Sequence, residues 1–317
     1  MTFNELARLG RIAFPLVALF SIVGAAPLFA PRFLTTGNIL VILSEAICIL
    51  PAVVGMQSVM VVGRFDLSIG ANSALSGIVA GLLLQSGHSL ALALALGGIA
   101  ALLVSTLNGL LIGLWRLDVL ISTLGTMWIV RSLALVLSDG KTTGSLAVPL
   151  MPLTHASMLN MPLPIIASLL FLGLLIVLFS QQLHCRHLYA IGSNEHAARL
   201  SGLNVPFGVM LAYWIAGVGA SLTGFIQMLR SEAASPLVFQ DLALESIAAC
   251  VLGGATLAGG RGSMLGAALG LVTIVAIQNL VLAMGISTYW RYCMIGSLVM
   301  IAIMLDRLGL SGKCSRI

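Results

Sequence analysis

Ionisable side chains are rare in this 317-residue sequence, so those that fall inside apolar runs are the first places to look for chemistry. Glu45 lies seven residues after Asn38 and Arg131 six before Leu137. At 1.5 Å per residue both sit about 10 Å below one membrane face. A charged group at that depth is a functional candidate by default, because lipid solvates it poorly. The competing readings are a structural ion pair, or an Arg131 stem that carries its guanidinium out to water. Glu245 opens another apolar run and reads as a carboxylate meeting the free amides of a helix start. Asp66, within Gly63-Arg64-Phe65-Asp66-Leu67-Ser68-Ile69-Gly70, has the same chemistry available, and its charge suits the positive end of the following helix. Capping is the plain reading there. The functional alternative is an inner gate built on Asp66, Ser68 and Gly70.

The stretch Tyr189 to Gly202 reads as a short capped helix over 193–201. Ser193 or Asn194 can cap it, Glu195 stands in the first turn, and Gly202 falls just past the end. Glu195 and Arg199 have the i,i+4 spacing of an ion pair. Ala197, Ala198 and Leu200 offer a small apolar surface. Two turns of helix are not stable alone in water. Either the rest of the protein holds this helix or a cytoplasmic partner does. We favour the partner, since capped amphipathic helices in loops are common docking surfaces.

Three other constellations do not reach a chemistry. Gly140-Lys141-Thr142 has the end of a phosphate-binding loop, but Leu135 stands where its first glycine belongs and no strand precedes it. His184, Cys185 and His187 cluster without a fourth ligand. The five cysteines are isolated and odd in number, so neither a disulfide framework nor a zinc knuckle is indicated. We expect no catalytic residue, no metal site and no cofactor within the chain.

The elements that must position these groups follow from composition. Hydrophobic residues make up 59% of the chain and charged ones 8%, with a mean hydropathy of +1.11. A soluble domain needs roughly 25% charged residues to cover itself, so a soluble enzyme is excluded. Apolar runs long enough to span a bilayer fall near 12–30, 38–62, 67–85, 89–114, 119–137, 163–182, 207–229, 242–258, 262–284 and 289–305. The expected fold is an all-α polytopic bundle of about ten transmembrane helices forming one transmembrane domain over 1–317. The first run follows Arg8 and Arg11 like a signal sequence, and is read as an uncleaved span. Pro51 inside the second run and the pairs Gly253-Gly254 and Gly259-Gly260 at the end of the eighth predict broken or shortened helices. Such backbone survives in a membrane only against protein or a water-lined cavity.

With the N-terminus inside, ten of the fifteen Lys and Arg residues fall on the cytoplasmic side. Arg32, Lys141, Arg230 and Arg291 fall outside, and Arg131 lies within a span. This positive-inside bias places both termini and loop 183–206 in the cytoplasm.

Several strings resemble the membrane permease subunit of bacterial ABC importers for ribose and other simple sugars, autoinducer-2 relatives included. They are Asp66-Leu67-Ser68-Ile69-Gly70, Asn108-Gly109-Leu110-Leu111 with Ser122-Thr123-Leu124-Gly125-Thr126, Tyr189 to Gly202, and Glu245 to Gly254 with Gly259-Gly260-Arg261-Gly262-Ser263. Their order and spacing cover about Asn38 to Arg307. The resemblance implies a type II ABC importer-like fold in the bacterial inner membrane, with a second permease chain, as homodimer or heterodimer. It implies two ATP-binding cassette subunits, carrying ATP-Mg, that grip the helix over Ser193, Asn194, Glu195, Ala197, Ala198, Arg199, Leu200 and Gly202. A periplasmic sugar-binding protein would dock near Arg230 and Glu232. The solute would pass hydroxyls and amides such as Asn108, Ser122, Thr123 and Thr126, with Glu45 and Arg131 as further candidates.

The chain departs from the family pattern in three places. Arg64-Phe65 stands where Gly-Ile usually precedes the aspartate, Asp118-Val119-Leu120 where Ile-Pro-Pro is frequent, and Ala243 where an acid is usual. The main alternative is an ion-coupled secondary transporter of a small neutral solute, which should place carboxylates or half-helix ends at the membrane midplane. A non-transporting scaffold would leave the glycine-broken spans without a purpose.

Overall fold

The computed structural model describes residues 30–287, apart from 145, 155, 156, 159 and 160, together with scattered single positions between 20 and 300. The predicted first and last spans and both termini therefore lie outside the described residues, except for those scattered positions. The elements are α1 (Thr36–Val61), α2 (Ile69–Gln85), α3 (Leu90–Gly109), α4 (Val119–Leu137), α5 (Ala147–Thr154), α6 (Leu163–Gln181), α7 (Leu183–Ser193), α8 (Glu195–Leu200), α9 (Val205–Ser231), α10 (Leu242–Leu252) and α11 (Met264–Ala283). A two-residue antiparallel ladder pairs Ser157 with Pro162 and Met158 with Met161.

Among the described residues six helices are long and apolar enough to cross a membrane, and α2 and α10 are shorter apolar helices. The count of ten crossings is thus not reached among them. The predicted eighth span, 242–258, is helical only to Leu252. Gly253 and Gly254 end it, with the amide of Gly254 turned back to the carbonyl of Val251 at 2.9 Å.

Pro51 does not break α1, contrary to the sequence expectation. A proline there withdraws the donor that the carbonyl four residues earlier would use. That carbonyl belongs to Ile47, and the Ser168 hydroxyl donates to it at 2.9 Å. The next amide, Ala52 N–H, donates to Thr223 Oγ1 at 3.0 Å. Hydroxyls from α6 and α9 therefore satisfy the disturbed turn. Gly219 permits the approach, because a Cβ there would collide with the Pro51 carbonyl.

α9 runs through the middle of the bundle against α1, α2 and α3. Small residues make the crossings close: Gly55 meets Ala216, Gly77 meets Gly224, and Gly109 meets Met210. α10 and α11 form a tight antiparallel pair, with Gly253 on Gly266 and Gly270 on Ala249. Backbone approach of this kind lets helices pack in lipid without a hydrophobic drive. Bulky side chains point outward instead, including Ile121, Trp128, Ile129 and Val136 on α4.

Successive membrane helices alternate in direction, so loop 62–68, helices α7 and α8 and loop 253–263 gather at one end. Val61 and Gly260 are hydrogen bonded there at 2.8 Å. At the other end Asn38 donates to Asn279 at 2.8 Å.

Candidate functional site

Two places collect polar groups: the end that holds α8, and a cavity deeper in the bundle. At the first, one oxygen of Asp66 accepts from Ser68 N–H at 2.8 Å and from the Ser68 hydroxyl at 2.6 Å. The Asn108 amide donates to the same oxygen at 3.3 Å and to Ser68 Oγ at 2.9 Å. The predicted carboxylate at a helix start is present, and Asn108, nominated for the solute path, is buried inside it. Burial pushes the Asp66 carboxyl up to about 6, against the opposing pull of the Ser68 and Asn108 hydrogen bonds. Gly70 is obligatory in its own way, since a Cβ there would strike the Phe239 carbonyl.

The short helix forms as its sequence suggests. Asn194 caps it, accepting from Ala197 N–H at 2.9 Å, and Gly202 turns the chain away at φ +81°. Glu195 pairs with Arg199 at 2.6 Å and also with Arg64 at 2.8 Å. Burial alone would raise the Glu195 carboxyl, but hydrogen bonds from Arg199 and Arg64 outweigh it and hold the group below its ordinary value. Ala198 is only 4% exposed and packs into the core, whereas Leu200 is 79% exposed. The outward surface is therefore Ser193, Asn194, His196, Ala197 and Leu200. Behind the helix, Gly63, Gly192 and Gly259 bring three backbones into contact, and the Tyr189 hydroxyl donates to the Gly262 carbonyl at 3.1 Å.

The cavity has a volume of about 600 Å³. Glu45, Cys48 and Ile49 of α1 and Gln227 and Arg230 of α9 form one wall. The other wall is the connection from Leu237 to Asp241 and the first turn of α10, with Leu242 and Glu245. Cys48 Sγ donates to Gln227 Oε1 at 3.3 Å. Gln278 Nε2 of α11 donates to Glu245 Oε1 at 2.9 Å. Glu45 stands ten residues into α1, about 14 Å along its axis. Arg230 and Gln240 are exposed. Carboxylates and amides beside Ile49, Leu237 and Phe239 can bind a small hydroxylated solute by donors, acceptors and apolar faces together.

Of the residues nominated from sequence, Glu45 and Arg230 line this cavity. Ser122, Thr123 and Thr126 are buried on α4, and the Thr123 hydroxyl donates to its own helix at Val119. Arg131 donates to the carbonyls of Pro236, Val238 and Phe239 at 2.6, 2.8 and 3.4 Å. Glu232 is exposed at the end of α9, with its carbonyl accepting from Leu146 N–H at 2.8 Å. Sequence reasoning missed Gln227, Gln240 and Asp241 as cavity groups and took Glu245 for a cap. Glutamines inside apolar runs were the available signal, since an amide in lipid needs a partner or a cavity.

A bundle of apolar membrane-length helices around a polar cavity defines a multi-pass membrane permease. A family model described as the permease component of a branched-chain amino acid transport system matches residues 38–304, and the chain belongs to that permease family. It is 34% identical over 295 residues to the ribose import permease protein RbsC of Bacillus subtilis, covering 92% of each chain. It is 32% identical over 277 residues to the D-allose transport system permease protein AlsC of Escherichia coli, covering 87% of this chain and 85% of the relative. A third relative, the L-arabinose ABC transporter permease protein AraH of Azospirillum brasilense, is 30% identical over 280 residues, covering 88% and 83%. No solved structure matches the chain.

Proposed function

We propose that this protein is the permease subunit of an ATP-driven importer for a neutral simple sugar, and that the cavity between α1, α9 and α10 is where the solute rests during passage. The observation that carries the reading is a polar cavity of about 600 Å³ inside an otherwise apolar bundle. Its size is in the range of about 300–1,000 Å³ usual for small-molecule sites. The relatives that are named for ribose, D-allose and L-arabinose support the solute class.

In this reading a binding protein delivers the sugar at the Arg230–Glu232 end, and two permease chains enclose the path in the inner membrane. ATP-Mg is bound and hydrolysed on a separate pair of subunits that grips α8, and both termini are cytoplasmic. ATP-driven closure of that pair would be felt at Gly63, Gly192 and Gly259, where loop 253–263 touches the α7–α8 junction. α10 links this junction to the cavity: Gly253 ends it near one and Leu242 and Glu245 line the other. An 11-residue rod of about 16 Å can carry displacement between them.

Uptake of labelled D-ribose, D-allose and L-arabinose by cells with the complete transporter tests the site. Gln227→Leu removes one amide that faces the cavity and should raise the KM for the transported sugar about tenfold, the scale of one lost hydrogen bond. An unchanged KM would remove the cavity from the path. Three carboxylates in the cavity, Glu45, Asp241 and Glu245, favour ion coupling as a second reading. Uptake that persists without ATP but stops with a protonophore would establish that alternative.

A further inference from the structure

The connection between α9 and α10 presents a problem that the chain must solve. Residues 232–241 are not helical, yet they run down the length of α2: Ala234 touches Gly81, and five residues later Phe239 touches Gly70 at the far end of α2. The eleven residues of α2 between those contacts rise about 16 Å, so the segment descends along α2 as a re-entrant strip that turns over 236–239. Non-helical backbone at membrane depth leaves carbonyls without helical donors, and lipid supplies none. Phe239 is moreover held at φ +60°, a left-handed conformation costly for a bulky residue unless its surroundings enforce it.

Arg131 answers both demands. Its guanidinium donates to the carbonyls of Pro236, Val238 and Phe239, the shortest at 2.6 Å. Gly70 of α2 lies close against the same carbonyl of Phe239, where a Cβ would collide with it. The strip so held is the one that contributes Leu237 to Asp241 to the cavity wall. Arg131 itself does not line the cavity. We infer that Arg131 is a positioning residue for the solute cavity, clamping the re-entrant strip at the depth and in the backbone conformation that complete the wall opposite Glu45 and Gln227. The inference rests on the cavity being the solute site only for its transport consequence; the clamp itself is independent of what the cavity binds.

A fork of several N–H donors is required for three carbonyls, and a lysine ammonium can reach fewer in fixed geometry. The residue at 131 therefore acts through number and direction of donors rather than through charge alone. Cys48 lines the cavity on the opposite wall and reports wall position without any solute. The experiment uses the full chain in native membranes with Cys185, Cys250, Cys293 and Cys314 replaced by serine or alanine. A small neutral maleimide probes Cys48 with and without D-ribose, D-allose or L-arabinose, and uptake kinetics are measured in parallel.

With Arg131→Met, the strip should loosen and Cys48 alkylation should quicken by about tenfold or more, as expected for local opening. The uptake KM should rise more than Vmax falls. Arg131→Lys should fall between Met and the wild type. Gly70→Ala, which pushes on Phe239 from the other side while leaving Arg131 intact, should reproduce the faster alkylation. Membrane insertion of each variant is followed by protease resistance, and Gly70→Ala decides the matter if Arg131→Met is not inserted. Unchanged alkylation in the inserted variants would overturn the clamp. Absence of sugar protection in the wild type would instead count against the cavity as solute site, while the sugar-free rates still decide the clamp.

Discussion

Asp66 concentrates three donors on one buried carboxylate oxygen, and the balance between them and burial sets its pH response. Its carboxyl is pushed up to about 6, above the ordinary aspartate value near ~3.9. A raised acid binds more protons folded than unfolded between those two values, so stability falls as pH rises through this window. Thermal unfolding in detergent should show a Tm that climbs as pH is lowered from 7 toward 5. Asp66→Asn keeps an acceptor for Ser68 N–H and should flatten that slope; a slope that survives in Asp66→Asn would assign it elsewhere. Glu195 behaves oppositely. Its carboxyl is depressed, so its contribution is in place at neutral pH and is lost only below the usual carboxylate range. At this scale the sequence was readable where partners are local. The Asn194 cap and the Glu195–Arg199 pair lie within five residues of each other, while Arg64 reaches Glu195 from 131 positions away and left no mark in the spacing. Arg131 was recognised as unusual for its depth, but its partners are three backbone carbonyls, which no side-chain pattern announces.

Short elements show the same division. α8 has six residues, and it is held by the Arg64–Glu195 bond and by Ala198 in the core rather than by its own turns. Substitution on its two faces should therefore separate two functions. Leu200→Asp, on the outward face, should leave membrane insertion intact and reduce both recovery of the ATPase with the permease and uptake of sugar. Ala198→Trp should overfill the bundle and destabilise the chain by about 1–3 kcal/mol or more, seen as a lowered Tm whether or not the ATPase is present. Copurification of the ATPase at wild-type level with Leu200→Asp, together with normal uptake, would remove α8 from the coupling surface. Behind α8, Gly259 has φ +87° and faces Gly63 and Gly192. Gly259→Ala combines strain of about 1–2 kcal/mol with a collision between backbones, and should lower the ratio of uptake to ATP hydrolysis. A normal ratio would mean that the stroke travels by another route. Sequence reading placed the start of α10 at 242 but ran the span on to 258, and the helix stops at Leu252, where Gly253 and Gly254 follow. It could not reveal that the preceding ten residues descend along α2, since a non-helical strip fixed by distant donors carries no period.

At the scale of the whole molecule, composition alone excluded a soluble enzyme, and the apolar runs gave the long helices to within a few residues: 119–137 was read and Val119–Leu137 is found. The solute cavity was far less legible. Its walls come from α1, α9, α10 and the connection before α10, so Glu45, Gln227 and Glu245 are separated by up to 200 positions. The helices that frame it are apolar on nearly every face, because lipid covers one side and close-packed helices the other. No amphipathic stripe points inward, and the path must be inferred from single polar residues. The central claim is that ATP, rather than an ion gradient, drives a neutral sugar through this chain. The direct measurement is uptake of labelled D-ribose, D-allose and L-arabinose into proteoliposomes holding the permease with its ATPase, with the binding protein outside. The account predicts uptake of at least one sugar that requires ATP-Mg in the lumen and continues when ionophores collapse the proton and sodium gradients. Uptake by the permease alone, driven by either gradient and indifferent to ATP, would contradict it.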